Sequence, residues 1–174
     1  MQFIRDQGFI IKRRNFGEAD RIITIFSKNN GKISVVAKGV RKITSRRLGL
    51  LEPFNLIEFH AVKSYSMPIL TEVDLVNSFD EDKKNLDNYS KIFIICELLD
   101  SLCGEDLALL SLYKRVIDYA YNQSGHEALI DFKTDLLVNL GYWNKDKKFA
   151  SEDDSYRYIE SIIERKLKSR SIDL

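Results

Sequence analysis

The chain has 174 residues, 44% of them hydrophobic and 30% charged, with a formal net charge of +1. That apolar content excludes a disordered chain, and no window approaches the ~20 consecutive apolar residues of a membrane-spanning helix. The start, Met1-Gln2-Phe3-Ile4-Arg5-Asp6, carries no basic segment followed by a long apolar stretch, so a cytoplasmic protein with no membrane partner is expected.

The small net charge hides an asymmetry. Residues 1–80 hold 13 Lys or Arg against 8 acids and residues 81–174 hold 14 against 18, which gives +5 and −4. Opposite signs in the two halves point to a polyanion-binding module joined to a different one. Two domains are predicted, 1–80 and 81–174.

Up to residue 80 the hydrophobic period is two, in short runs separated by turn signals. The first run covers 8–14, the second 21–27 and the third 32–38. Between the last two lies Lys28-Asn29-Asn30-Gly31, whose Asn-Gly is a strong hairpin signal because both residues tolerate positive φ, so these strands are expected to pair antiparallel. In the third run Ile33, Val35 and Ala37 face the core and Lys32, Ser34, Val36 and Lys38 face away. A fourth run begins at Pro53, with Ile57, Phe59 and Ala61 alternating with Glu58, His60 and Val62, and a fifth covers 69–76. Five short strands with a long third-to-fourth connection suit an OB-like barrel, with Phe9, Phe26 and Phe59 in core positions.

Beyond residue 80 the period becomes helical. Ile92, Ile95, Cys96, Leu99 and Cys103 form one stripe, Leu109, Tyr113, Val116, Ile117 and Ala120 a second, and Leu129, Phe132, Leu136 and Leu140 a third, broken by Gly104, by residues 122–125 and by Gly141. A last helix starts near Glu152, capped by Ser151 with Asp154 three residues on, and its stripe is Tyr156, Ile159, Ile163 and Leu167. The fold class is α+β with two domains, a five-stranded OB-like barrel followed by an α-helical domain. Cys96 and Cys103 lie about 10 Å apart along a helix axis, too far for a disulfide, and read as core thiols.

Catalysis finds little support. His60 and His126 fall in different predicted domains, no phosphate-binding glycine loop, HExxH helix or EF-hand loop occurs, and neither an enzyme nor a cofactor is expected. The affirmative signal is a run from 21 to 51 that holds Arg21, Lys28, Lys32, Lys38, Arg41, Lys42, Arg46 and Arg47 without one Asp or Glu. Each phosphate such cations neutralise releases condensed counterions, and a merely solvated surface would mix both signs. Its centre, Lys38-Gly39-Val40-Arg41-Lys42-Ile43-Thr44-Ser45-Arg46-Arg47-Leu48-Gly49, adds backbone amides and hydroxyls that suit phosphate oxygens. The candidate nucleic-acid-binding residues are Lys32, Lys38, Arg41, Lys42, Arg46, Arg47 and, from the first strand, Arg14. Alternation sends Arg13 to the face opposite Lys12 and Arg14, so at least one of these three does something else. Phosphates carry no base identity, so the charges leave DNA and RNA open. A further reading, in which the loop serves solubility and the helical domain is a protein-interaction adaptor, also stands.

The stretch FSKNNGKISVVAKGVRKITSRRLGLLEPF, residues 26–54, resembles the N-terminal domain of the bacterial recombination mediator family RecO. It shares the hairpin Gly, an Ala-Lys-Gly-x-Arg turn, a basic Ser-bearing loop and Leu-x-Pro-Phe, in this order and spacing. Gly8-Phe9-Ile10-Ile11 with Gly17-Glu18-Ala19-Asp20, Glu97-Leu98-Leu99, Leu136-Leu137-Val138-Asn139-Leu140-Gly141-Tyr142 and Leu167-Lys168-Ser169-Arg170 extend the resemblance over nearly the whole chain. It implies an OB-fold and a helical domain, binding of single- and double-stranded DNA, annealing of complementary strands, and a nucleoid-associated protein. It also implies RecR as a partner, the acidic tail of the single-strand binding protein in several lineages, and indirect help to the recombinase. Lys38 and Arg41 fall at the basic positions of the Ala37 to Arg41 motif.

Two departures from the family pattern follow. Many relatives place a zinc-binding insertion built on CxxC pairs after the Leu-Gly-Tyr helix end. Here the chain continues Trp143-Asn144-Lys145-Asp146-Lys147-Lys148 with no cysteine after Cys103, so no zinc is expected and Trp143 is expected to plug the helical core. Some relatives carry Arg just before the aromatic corresponding to Phe132. This chain has Asp131, whose charge repels an acidic peptide, leaving Lys133 or the cluster Arg165, Lys166, Lys168 and Arg170 as substitutes. That cluster is otherwise expected to complement the negative end of the last helix.

Overall fold

The computed structural model describes residues 2–105, 107–122 and 125–171, without the side chains of 125–128 and 171, so the expectation for His126 lies outside the described residues. The chain divides into two compact units, Met1–Ala108 and Leu109–Leu174. The first joins a β-barrel to two helices, and the second is helical.

Strands β1 (Phe3–Phe16), β2 (Asp20–Ser27), β3 (Gly31–Ala37), β4 (Leu56–Val62) and β5 (Ile69–Asn77) close in the order β1-β2-β3-β5-β4. All neighbours are antiparallel except β3 and β5, which meet in parallel at Val36 and Ile69. This is the expected OB-like barrel. Ile10, Ile23, Ile25, Val35, Ala37, Ile57, Phe59 and Ala61 fill its interior, and the predicted alternation of β3 holds residue by residue.

β1 is longer than the 8–14 run for two reasons. Its register shifts between Ile10 and Lys12, so Phe9, Ile10 and Ile11 are all buried in succession. Its early half carries Asp6, buried because its carboxylate accepts from the backbone N–H groups of Asn29 (2.9 Å) and Asn30 (3.1 Å) and from both of their side-chain amides. The β2–β3 turn is tied down by this side chain together with the Ser27 hydroxyl, which accepts from the Asn30 N–H at 3.2 Å and donates to the Gly31 carbonyl at 3.0 Å. Among its residues positive φ occurs only at Gly31 (φ 66), not at the asparagines, because the connection is a three-residue turn and not a two-residue one. A Cβ on Gly31 would also collide with the carbonyl of Leu107.

After β5 come α1 (Asp80–Lys84) and α2 (Leu86–Leu102), the latter capped by Asn85, whose side chain accepts from the Asn88 N–H. α2 packs on the outside of β1. There Phe9, Phe54 and Phe79 form a ring cluster with centroids 5.2 to 6.2 Å apart, and Cys96 lies 4.0 Å from the Ile10 carbonyl. Both cysteines are buried and free, and burial pushes each thiol up to about 12. The compact units meet at 108–109, so α1 and α2, which follow the predicted boundary at residue 80, pack with the barrel. The change of charge and period at 80 marks where strands stop, whereas α2 buries its stripe as part of the barrel unit.

The second unit holds α3 (Leu110–Tyr121), α4 (Gly125–Asn139) and α5 (Glu152–Ile163). Tyr113, Val116, Tyr119, Leu129, Phe132, Leu136, Tyr156 and Ile159 are its buried apolar set. Ser151 caps α5 as expected, its hydroxyl accepting from the Asp154 N–H at 3.2 Å. The helix ends one turn before Leu167, at Glu164 with φ 54, and Leu167 is buried by the returning segment. Trp143 is not a core plug. It is half-buried, stacked on Phe149 (4.1 Å, 17°) with the edge of Tyr158 4.7 Å away, and its Nε1 donates to the Lys147 carbonyl.

Candidate nucleic-acid interface

Loop 38–48 leaves the end of β3 beside turn 17–19, which joins β1 to β2. The Gly39 N–H donates to the Asp20 carboxylate (2.7 Å), the Arg41 N–H to the Ala19 carbonyl (2.9 Å) and the Arg41 guanidinium to the Gly17 carbonyl (3.1 Å). Gly39 has φ 65, and a Cβ there would meet only the Lys42 side chain at an ordinary 3.8 Å, so glycine is required for conformation and not for a close approach.

Apolar residues inside the basic run fix the loop to the barrel. Val40 and Leu51 are wholly buried in the barrel core. Asn55, also buried, donates its side-chain amide to the carbonyls of Gly49 (3.3 Å) and Leu50 (3.0 Å) and accepts from Lys83 at 2.5 Å. Desolvation outweighs the nearby acids and lowers the Lys83 pKa. Within the loop, Lys42 N–H donates to Gly39, Ser45 N–H to Lys42 and the Arg47 guanidinium to the Lys38 carbonyl (2.9 Å). The cations therefore stand on an anchored scaffold.

Lys38, Arg41, Lys42 and Arg46 are exposed and Arg47 is half-buried. Among the described residues, no carboxylate lies within ion-pair distance of these five or of Arg14. Their charges face solvent uncompensated, which is what attraction of a polyanion requires.

Other cations of this unit are engaged elsewhere. Lys32 donates to the backbone carbonyl of Asp100 at 2.7 Å, near the end of α2, so it faces that helix and not the loop. Lys12 pairs with the Asp100 carboxylate at 2.6 Å. Arg13, on the opposite face as alternation requires, pairs with Glu52. Arg14 alone of the three remains outward without an ion pair. His60 faces outward, its Nδ1 3.0 Å from Glu72.

Exposed apolar side chains complete the picture. Phe16, half-exposed, ends β1 two residues from Arg14 and next to Gly17, the residue that Arg41 grips. Ile43 in the basic loop and Tyr65 in the 63–68 connection are fully exposed, and that connection reaches β3 through a 2.8 Å bond from Val36 N–H to the Pro68 carbonyl. Such rings offer π-faces to bases. The sequence signal for them was an aromatic beside a turn glycine and one between two serines.

In the helical unit the expected partner residues have other environments. Lys133 is wholly buried, its ammonium 2.8 Å from Glu152 and 3.4 Å from the centroid of Tyr156, so it presents no surface to a partner. Arg165 and Lys168 are exposed. Arg170 does not complement the helix C-terminus but reaches back to Asp153 and Glu160, and Lys166 also pairs with Glu160 at 2.9 Å. Burial works to raise the Glu160 pKa, but the hydrogen bonds from Lys166 and the Leu167 N–H, with the charges of Lys166 and Arg170, hold it below the ordinary value. Asp131 is exposed.

Residues 1–79 match the family described as Recombination protein O N terminal. The chain is 30% identical over 175 residues to a DNA repair protein RecO of Clostridium acetobutylicum, an overlap covering 93% of this chain and 71% of that protein. It is 27% identical over 144 residues to a DNA repair protein RecO of Syntrophomonas wolfei (80% and 58%) and 30% over 147 residues to one of Acetivibrio thermocellus (82% and 59%). The chain spans less than two thirds of the length of the latter two curated relatives. Together with the OB-like barrel, these likenesses decide the assignment: the chain belongs to the RecO family.

Proposed function

We propose that this protein acts in DNA repair and recombination as a non-enzymatic mediator that binds single- and double-stranded DNA and promotes pairing of complementary strands. The observation that carries the reading is the anchored loop 38–48, with Lys38, Arg41, Lys42 and Arg46 exposed and uncompensated at one end of the barrel. Arg14 and Arg47 border it, and Phe16 and Tyr65 add rings on the adjoining turns. A surface that neutralises phosphates on two strands lowers their mutual repulsion and leaves base edges free, so annealing on this account needs no catalytic residue. Lys32 supports the fold near α2 and does not belong to the surface.

The family resemblance adds RecR as a partner and places the recombinase downstream. Docking of the single-strand binding protein's acidic tail would need a surface other than Lys133, with Arg165 and Lys168 as the remaining cations of that expectation and Asp131 opposing it. No helix among the described residues is long and apolar enough to cross a membrane.

The test is fluorescence anisotropy of a labelled single-stranded DNA oligonucleotide across a salt series, followed by addition of the complement. About five phosphate contacts predict a slope of log affinity on log salt near −3.5 and accelerated pairing. Absence of binding at low salt would leave the adaptor reading in its place, and equal competition by RNA of the same length would remove the preference for DNA.

A further inference from the structure

The segment 142–149, between α4 and α5, carries three lysines of its own, Lys145, Lys147 and Lys148, against the single acid Asp146. All three are exposed, and among the described residues none has an ion-pair partner. This is unusual in a half of the chain that is net acidic. The acids that follow at the start of α5 are engaged elsewhere: Glu152 holds Lys133, and Asp153 holds Arg157 and Arg170.

The segment is also shaped. Stacking of Trp143 on Phe149 brings its two ends together, Tyr158 closes the edge of that pair, and the Tyr158 hydroxyl donates to the Tyr142 carbonyl. Asn144 accepts from the Asp146 N–H at 2.9 Å, and its carbonyl accepts from the Lys147 N–H at 3.0 Å. The lysines therefore project from a closed loop and not from a free tether, which lowers the ordering cost of binding. Beside them the Tyr142 side chain is exposed.

We propose that segment 142–149 is a second contact for single-stranded nucleic acid, in which Lys145, Lys147 and Lys148 meet phosphates and Tyr142 offers its ring to a base. Cations interleaved with an open aromatic ring match a strand whose bases are unstacked. An acidic peptide would use the lysines but has no use for that ring. The contact lies in the helical unit, so it is additional to the barrel loop and does not depend on it.

The chain has one tryptophan, Trp143, inside the segment, and its emission reports the site directly. The experiment titrates the full chain with a dT oligonucleotide while following Trp143 emission and, separately, anisotropy of the labelled oligonucleotide. Emission is expected to change on binding, in the parent and in the Lys38→Glu/Arg41→Glu variant at low salt. The triple variant Lys145→Gln/Lys147→Gln/Lys148→Gln, with an unchanged melting curve, is expected to bind about tenfold more weakly and to lose about 2 from the salt slope. Tyr142→Ala is expected to weaken dT binding without altering that slope.

An emission that stays constant while anisotropy reports saturation, together with an unaltered slope in the triple variant, would overturn the proposal. So would a poly-glutamate peptide that shifts the emission where dT does not. Weaker anisotropy binding in Lys38→Glu/Arg41→Glu with the low-salt emission change retained bears on the barrel loop alone, whereas loss of both signals in that variant would overturn the second contact.

Discussion

Loop 38–48 and segment 164–170 look alike as sequence: both are short, rich in Lys and Arg, and nearly free of acids. They have opposite physical meanings. In the barrel loop the side chain that reaches inward is apolar, Val40, followed just beyond the loop by Leu51, and the charged groups are left in solvent. In the C-terminal segment Lys166 and Arg170 fold back on Glu160 and Asp153, and the buried Leu167 hangs its N–H on Glu160 at 3.0 Å. A cation cluster attracts a polyanion only where the fold pairs no carboxylate with its charged side chains, and in the barrel loop the nearby carboxylate of Asp20 is held by the Gly39 N–H. Chain proximity does not decide this, because the acids that bind Arg170 lie 10 and 17 residues away.

The comparison breaks most readily in the helical unit. Lys133→Ala removes one partner of an interior ion pair, and since Glu152 keeps some access to water the expected loss is near the low end of the usual range, about 3 kcal/mol by chemical denaturation. Arg170→Ala removes two charged hydrogen bonds from a partly exposed side chain and is expected to cost about 1 to 2 kcal/mol. If either substitution leaves stability unchanged, the ion pairs are ornaments of the surface and the contrast fails.

Acid gives a graded version of the same test. The folded pKa of Glu160 is depressed, so its contribution to stability is complete above the ordinary carboxylate value and is lost as pH falls through the lower folded value. Protection of the Leu167 amide against hydrogen exchange, followed from neutral to acid pH, is expected to fall in that range. Protection that is indifferent to pH would show that Glu160 does not hold the segment.

The barrel loop should respond in smaller and different terms. Gly39→Ala forces a Cβ into a left-handed backbone and is expected to cost about 1 kcal/mol with no steric clash. Lys38→Ala with Arg41→Ala should leave stability within about 0.5 kcal/mol, because the fold contact these side chains make, the Arg41 bond to the Gly17 carbonyl, is solvent-exposed, while lowering the salt slope of DNA binding by about 1.4.

What sequence could show was whatever depends on neighbours within a few residues. The strands announced themselves by alternation, the β2–β3 hairpin by Asn-Gly, and α5 by Ser151 with Asp154. What it could not show depends on partners far along the chain. Asp6 lies ahead of the 8–14 run and nothing near it in sequence marks it as buried, because its donors are 23 and 24 residues away. Lys133 sits in a helical run where a lysine ordinarily reaches solvent, and its burial depends on partners such as Glu152 and Tyr156 on another helix. Lys32 was correctly assigned to the outward face of β3, yet that face carries α2 at its level, which periodicity does not reveal. For the same reason the packing of α2 is not legible: it reads as a helix from its stripe, but nothing in the stripe says that β1 covers it. The candidate site was legible in its charges and its Gly39, and not in Phe16 or Tyr65, whose exposure is a property of the closed barrel.

The central claim is that exposed cations of the barrel loop bind DNA without supporting the fold. The most direct measurement is DNA affinity and unfolding free energy on the same preparation of Lys38→Glu/Arg41→Glu and of the parent chain. The account predicts that most of the single-stranded DNA affinity disappears while unfolding is unchanged. Full affinity in the folded variant would contradict it, as would a loss of affinity that only follows a loss of fold.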